Sequence, residues 1–111
     1  MNIYIVDDDA AIVAVMTALL EAAGHTVASN PNGADAIPEI VAAGPDCLLA
    51  DVMLEDMDGL DLCQALREDH GMTGMRIIAV SGREDDESRR RAKEAGADGY
   101  LAKPVDVATF A

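Results

Sequence analysis

Hydrophobic residues along this chain fall into short runs that are separated by longer segments with helical spacing. The runs predict five strands, at residues 1–6, 26–29, 46–50, 76–80 and 100–102. The segments between them predict four helices, at residues 10–23, 32–43, 58–69 and 86–95. Strands that alternate with helices in this way are typical of βαβ units, in which the strands are parallel. We therefore expect an α/β domain built on one parallel sheet.

The size of the chain fits one domain. Its 111 residues are enough for a single core that needs no disulfide or metal to hold it together. Cys47 and Cys63 lie among apolar residues, without a nearby Cys or His at metal-ligand spacing, so we interpret both as small buried hydrophobes. A sixth element is expected after Pro104, where Val105, Val107 and Phe110 could start a helix of only about two turns.

The charge and the N-terminal sequence limit the possible partners. The formal net charge is −13, so the surface repels both duplex phosphates and an anionic bilayer. We therefore expect no direct nucleic-acid binding by this domain and no membrane binding. The N-terminus has no basic region followed by a long apolar stretch, which would mark a signal peptide. A cytoplasmic location is the expectation.

Three of the apolar runs end next to a residue that could serve phosphoryl chemistry. The first run is followed by Asp7 and Asp8, the third by Asp51 and the fifth by Lys103. The carboxyl ends of parallel strands share one edge of a sheet, and ligands bind at that edge in open α/β folds. We therefore expect these four side chains to converge on one pocket. Carboxylates with one lysine favour a divalent metal and a phosphoryl group over an organic cofactor.

An aspartate that accepts a phosphoryl group needs a cation beside it, because the two reacting groups are both anionic. Mg²⁺ suits this role, since it takes oxygen ligands and keeps several waters, and Mn²⁺ is an alternative. A lysine adds positive charge at the transferring group, and a small hydroxyl can bind one of its oxygens. Ser81, just past the fourth predicted strand, supplies such a hydroxyl.

Five short motifs occur in a fixed order along the chain. They are Asp7-Asp8, residues 45–53 around Asp51, Met57-Asp58-Gly59-Leu60, residues 77–82 and residues 96–104. In this order they resemble the motifs of the receiver domains of two-component response regulators. The resemblance implies the flavodoxin-like (CheY-like) doubly wound fold, with a five-stranded parallel sheet in the order 2-1-3-4-5. It also implies one receiver domain over residues 1–111, with a shortened last helix and any output domain beyond Ala111.

The resemblance implies a role for each acidic residue of the pocket. Asp51 would accept the phosphoryl group. Asp8, Asp51 and the backbone carbonyl of Met53 would bind Mg²⁺, while Asp7 would act through a bound water. A complete acceptor set of this kind leaves little reason to expect a vestigial pocket.

Four further residues match the family's switch and lysine positions. Ser81 and Tyr100 match a pair in which the hydroxyl moves toward the phosphoryl group and the aromatic ring swings inward. Lys103-Pro104 matches a peptide bond that is cis in the family, and a cis bond before any residue other than proline would be far costlier. That bond would direct Lys103 into the pocket.

Some residues depart from the family's pattern. Glu55 stands where the family often has proline, and with Asp56 it adds negative charge beside the acceptor loop, which could raise metal affinity or repel some donors. Met53 and Arg83 occupy positions that tune the lifetime of the phosphoryl group in the family. A bulky apolar residue and a long cation there could hinder the hydrolytic water, so we expect a long-lived phosphoryl state.

The resemblance implies a signalling phosphoacceptor rather than an enzyme. The domain would take a phosphoryl group from a histidine kinase or a histidine phosphotransfer protein, and a change of conformation would control a downstream effector. Autocatalytic phosphotransfer and slow autodephosphorylation would be its only chemistry. The signalling face of the family, formed by the fourth helix, the fifth strand and the last helix, could also form a homodimer.

Two other functions fit the same architecture. A magnesium phosphohydrolase with an aspartyl nucleophile usually needs a second acid two residues past the nucleophile, where this chain has Met53. A flavin-binding module needs a loop rich in Ser, Thr or Gly after the first strand, where this chain has three acids. Phosphomonoester turnover and flavin absorbance would distinguish them.

Overall fold

The computed structural model describes residues 1–82 and 86–103. The strands are β1 (Asn2–Val6), β2 (Thr26–Asn30), β3 (Cys47–Asp51), β4 (Arg76–Ser81) and β5 (Gly99–Ala102). The helices are α1 (Ala10–Ala22), α2 (Gly33–Ala43), α3 (Gly59–Glu68) and α4 (Asp86–Glu94). Each confirms a predicted element, and its bounds differ from the prediction by at most one residue at either end. The predicted last helix, with Val105, Val107 and Phe110, lies outside the described residues, as does Arg83.

The strands form one parallel sheet in the order β2-β1-β3-β4-β5, which confirms the predicted fold. β3 lies at the centre, and all five of its residues are buried because helices cover both faces of the sheet. β2 lies at the edge and exposes three of its five residues, which explains its weak hydrophobic pattern.

The core has two layers, one on each face of the sheet. Successive residues of β1 point to opposite faces, so Tyr4 and Val6 pack with α2 and α3, while Ile3 and Ile5 pack with α1. Cys47 and Cys63 are buried free thiols, as predicted. Burial raises the pKa of Cys63 to about 12, so this thiol is inert at neutral pH.

Side-chain caps fix the start of three helices and thereby the loops at the carboxyl edge of the sheet. Asp9 accepts hydrogen bonds from the first amides of α1, Asn32 caps α2 and Asp58 caps α3. In contrast, α4 buries only Ala92, so it has little apolar contact with the sheet.

Candidate functional site

The carboxyl edge of the sheet brings the predicted site residues together. Val6 of β1 pairs with Ala50 of β3, so the next residues along the chain, Asp7 and Asp51, lie side by side. Ser81 of β4 pairs with Ala102 of β5. Lys103 follows Ala102 and therefore lies at the same edge of the sheet. The convergence expected from the three apolar runs is therefore a consequence of parallel pairing.

Three carboxylates form a tight cluster at this edge. Asp7, Asp8 and Asp51 each offer an oxygen, and these oxygens lie within 4.8 Å of one another. Asp7 is 2% exposed and Asp51 is 4% exposed, while Asp8 is partly exposed. Such closely spaced negative charges repel one another unless a cation relieves them.

Backbone amides hold one oxygen of each carboxylate. The donors and acceptors are Asp9 N to Asp7 Oδ1 at 2.9 Å, Met53 N to Asp51 Oδ1 at 3.2 Å and Glu55 N to Asp8 Oδ2 at 3.1 Å. The amides fix the orientation of the three side chains, so the second oxygen of each carboxylate is left for another partner.

Lys103 supplies a positive charge to the cluster. Its Nζ lies 3.2 Å from Asp51 Oδ2 and 3.3 Å from Asp7 Oδ2. Burial alone would lower the pKa of the Lys103 ammonium, but the attraction of Asp51 and then of Asp7 outweighs burial, and the pKa is raised. The lysine therefore stays charged at neutral pH.

The pKa of the Asp51 carboxyl, in contrast to that of Lys103, shifts in the direction that burial favours. Its burial, and next the negative charge of Asp7, raise the pKa of the Asp51 carboxyl, while the Met53 amide and Lys103 act in the opposite direction. A divalent cation at the cluster would favour the ionised form, which is the form that can act as a nucleophile.

The cluster has the properties of a site for a hard divalent cation. Asp7 Oδ2 is buried and accepts no well-aligned hydrogen bond within the described residues; its contact with Lys103 is a charge contact. The side-chain donors at the cluster are oxygens, which Mg²⁺ and Mn²⁺ prefer. The residues present therefore fit the predicted metal.

The loop after β3 folds back on the end of its strand. Met53 and Asp58 form a single antiparallel bridge, and Gly59 N donates to Val52 O at 2.7 Å. A Cβ at Gly59 would collide with the backbone carbonyl of Asp51, so only glycine fits this close approach. The backbone of Met53 is thereby held beside the acidic cluster.

The predicted switch residues share a cavity next to this loop. Ser81 is buried at the end of β4, Tyr100 is half-buried on β5, and both line a cavity of about 230 Å³. Two arginines of α4 border the same region. The Arg89 guanidinium lies 4.9 Å from the centroid of the Tyr100 ring, and Arg91 lies 3.8 Å from Asp58 Oδ2. Pro104, and with it the predicted cis bond after Lys103, lies outside the described residues.

The contact between Asp56 and the start of α2 was not predicted from the sequence. Both carboxylate oxygens of Asp56 accept hydrogen bonds from the start of α2, from Gly33 N at 3.0 Å and Ala34 N at 2.9 Å. The sequence shows a helix start at Asn32, but nothing in its spacing shows that a loop more than 20 residues away closes on that helix.

Comparison with known families identifies the fold. The family model for the response regulator receiver domain matches residues 3–111. This chain belongs to the receiver domain family. Receiver domains act in two-component systems, where phosphorylation of the receiver controls an effector, and they bind Mg²⁺ through an acidic pocket.

Two curated response regulators illustrate the relationship. The chain is 34% identical over 103 residues to the DNA-binding response regulator MtrA of Mycolicibacterium paratuberculosis, covering 93% of this chain and 44% of MtrA. It is 33% identical over 105 residues to the DNA-binding transcriptional regulator NtrC of Escherichia coli K12, covering 95% of this chain and 22% of NtrC. The receiver domain described here thus spans less than half the length of these relatives.

Solved receiver domains have the same fold. A CheY-like receiver domain protein from Methanospirillum hungatei has a TM-score of 0.87 and 31% identity, over 97% of this chain and 85% of that chain. The BeF3-activated N-terminal receiver domain of RstA from Klebsiella pneumoniae has a TM-score of 0.88 and 29% identity, over 98% of this chain and 91% of that chain. Among the described residues of this receiver domain, each helix is too short or too polar to cross a bilayer.

Proposed function

We propose that Asp51 accepts a phosphoryl group from a histidine kinase or a histidine phosphotransfer protein, and that the resulting change of conformation controls a downstream effector. One observation carries this proposal. The Asp51 carboxylate lies at the buried end of the central strand, 3.2 Å from the Lys103 ammonium and within a carboxylate cluster that fits a divalent cation.

In the proposed transfer, an Asp51 carboxylate oxygen attacks phosphorus and the bond from phosphorus to the donor's imidazole nitrogen breaks. The electron pair of that bond returns to the imidazole, and an acyl phosphate forms on Asp51. Lys103 is already in place to stabilise the negative charge on the transferring group, and the buried Ser81 hydroxyl is assigned to one of its oxygens.

We assign the metal to Asp8, Asp51 and the Met53 backbone carbonyl, with Asp7 acting through a bound water. Mg²⁺, or Mn²⁺, would supply the positive charge that allows an anionic phosphoryl group to approach the carboxylates. The chain's own part is to hold these oxygens in place, through the amides of Asp9 and Glu55 and of Met53 itself.

Ser81 and Tyr100 are proposed to transmit the phosphorylation state. Their shared cavity gives the ring space to move, and α4 beside it buries only Ala92, so its displacement costs little packing energy. Phosphorylation would then shift the population of an existing conformation of α4 and β5.

We propose a long phosphoryl lifetime, because Met53 is a bulky apolar residue at the rim of the cavity that also contains Ser81. Its partner in this hypothesis, Arg83, lies outside the described residues. Dephosphorylation within seconds in Mg²⁺, without a phosphatase, would contradict this proposal.

A homodimer through α4, β5 and the last helix is a further proposal. α4 carries both basic residues (Arg89, Arg90, Arg91 and Lys93) and acidic residues (Asp86, Glu87 and Glu94), so the same face on two copies could form reciprocal ion pairs. Sedimentation of the phosphorylated and unphosphorylated forms tests it, and a monomer in both states would contradict it.

A cytoplasmic location is also proposed, supported by the two free buried thiols, Cys47 and Cys63.

The decisive experiment is intact mass spectrometry after incubation with acetyl phosphate and Mg²⁺. The unmodified chain should gain the mass of one phosphoryl group, and Asp51→Asn should gain none. Asp46→Asn is the matched control, since Asp46 directly precedes the opposite end of β3, where it accepts a hydrogen bond from Asn2 N. Phosphorylation of Asp51→Asn, or steady hydrolysis of small phosphomonoesters by the unmodified chain, would contradict the assignment.

A further inference from the structure

The loop between β3 and α3 contacts both the acidic cluster and the start of α2. On one side, Glu55 N donates to Asp8 Oδ2 at 3.1 Å. On the other side, Asp56 accepts from Gly33 N at 3.0 Å and from Ala34 N at 2.9 Å. Adjacent residues of one loop therefore join a carboxylate of the cluster to a helix terminus.

The contact of Asp56 with α2 is a two-point anchor. The first amides of a helix have no partner within it, and Asn32 satisfies only that of Asp35, at 2.9 Å. The two amides before Asp35, those of Gly33 and Ala34, each donate to one carboxylate oxygen of Asp56. Hydrogen bonds to an ionised carboxylate are the stronger kind, and a negative charge is favoured at a helix N-terminus. The Ala34 and Gly33 amides lower the pKa of Asp56, so the anchor is ionised at neutral pH.

Apolar packing supports the same anchor. A Cβ at Gly33 would lie 2.7 Å from Met57 Sδ and 3.1 Å from Leu54 Cδ1, so the loop is packed directly against the backbone of α2. α2 in turn is fixed in the core, since Ala36 and Ile40 are fully buried. The loop is thus attached to a rigid element.

We propose that Asp56 is a positioning residue for the cation site, holding the loop that carries the Met53 carbonyl and the Glu55 amide against the N-terminus of α2. This inference rests on the proposed function, because the cation site is the one assigned there. Without the anchor, the loop must become ordered when the cation binds, and the cost of ordering lowers affinity.

The test compares Asp56→Ala, Asp56→Asn and a charge control, Asp35→Asn, which removes an exposed acid from the first turn of the same helix. Mg²⁺ affinity is measured by calorimetry. We expect about a tenfold loss for Asp56→Ala, the lower end of the range for residues that orient metal ligands. Asp56→Asn should fall between Asp56→Ala and the unmodified chain, because its amide oxygen can still accept one of the two hydrogen bonds. Asp35→Asn should change affinity little.

A second readout needs no metal. Hydrogen exchange in the metal-free protein should be faster at Gly33, Ala34 and Glu55 in Asp56→Ala than in the unmodified chain. Equal losses of affinity in Asp56→Ala and Asp56→Asn, with unchanged exchange, would assign the effect to charge and overturn the inference.

The two proposals fail in different ways. If the unmodified chain binds Mg²⁺ and is phosphorylated while Asp56→Ala matches it in affinity and exchange, only the positioning role is overturned. If the unmodified chain binds no Mg²⁺, the proposed cation site is wrong and the positioning role falls with it.

Discussion

Lys103 Nζ lies 3.2 Å from Asp51 Oδ2, although the strands that end beside these residues are not neighbours. β4 separates β5 from β3, so the lysine side chain extends past the end of β4 to reach the carboxylate. The Lys103 amide donates to the Ser81 carbonyl at 2.7 Å, which fixes the point from which that side chain extends. The sheet order and one backbone hydrogen bond therefore position the Lys103 ammonium beside Asp51.

Asp51→Asn should be more stable than the unmodified chain at pH 7 when divalent cations are removed. Burial, and then Asp7, raise the pKa of Asp51, so the folded state binds more protons at this site than the unfolded state. The stability linked to Asp51 is therefore present at low pH and lost as pH rises through its folded pKa. We expect a gain of about 0.5–2 kcal/mol, measured by urea unfolding in EDTA.

The same measurement in Mg²⁺ supplies the control. A cation that binds only the folded, unmodified chain should raise its stability relative to Asp51→Asn. Lower stability of Asp51→Asn in EDTA, or a gap that is the same with and without Mg²⁺, would contradict this account of the cluster.

Gly59→Ala should destabilise the loop after β3. The new Cβ would collide with the Asp51 carbonyl, a backbone atom that cannot move without shifting the end of β3. We expect a loss of about 2 kcal/mol or more and a lower yield of phosphorylated protein with acetyl phosphate. Gly74→Ala is the matched control, since a Cβ there meets nothing within 4 Å. Equal unfolding midpoints for the two variants would show that the loop can yield.

Most of the fold could be predicted because local pattern and tertiary structure agree. The run before Asp51 is apolar throughout, and β3 is buried throughout because it is the central strand. The short polar residues Asp9, Asn32 and Asp58 stand where helices begin, and each caps one.

The convergence of the site could be predicted for a different reason. Parallel pairing places all strand ends at one edge, so the proximity of Asp7, Asp51 and Lys103 could be predicted without knowing the side-chain positions. The contacts of Asp56 with α2 and of Arg67 with Asp98 depend on the conformations of loops, which residue spacing does not predict. Strand order came from the family resemblance, since periodicity alone cannot order a sheet.

Arg67→Ala should destabilise the fold without weakening Mg²⁺ binding. The guanidinium of Arg67 donates to the carbonyls of Gly96, Met72 and Met75 at 3.0, 2.6 and 2.5 Å, and it pairs with Asp98 at 2.8 Å. These contacts lie at the amino ends of β4 and β5, the opposite edge from the acidic cluster. Leaving the carbonyls without a donor should cost about 3 kcal/mol by urea unfolding.

Arg90→Ala is the control for loss of an arginine. Arg90 pairs with Glu94 on the exposed surface of α4, and both side chains are 63% exposed, so its removal should cost less than about 0.5 kcal/mol. Similar losses in the two variants, or a fall in Mg²⁺ affinity in Arg67→Ala, would refute the separation of the two edges.

The stabilising effect of Asp56 should depend on pH in the opposite direction to that of Asp51. The Ala34 and Gly33 amides lower the pKa of Asp56, so its folded state binds fewer protons than the unfolded state. Its contribution to stability is therefore complete above the unfolded pKa of about 4 and is lost as pH falls through the lower, folded pKa. The advantage of the unmodified chain over Asp56→Asn, measured by urea unfolding in EDTA, should stay constant from about pH 5 to 8 and shrink toward about pH 3. An advantage over Asp56→Asn that persists unchanged at about pH 3 would mean that the ionised carboxylate is not what anchors the loop.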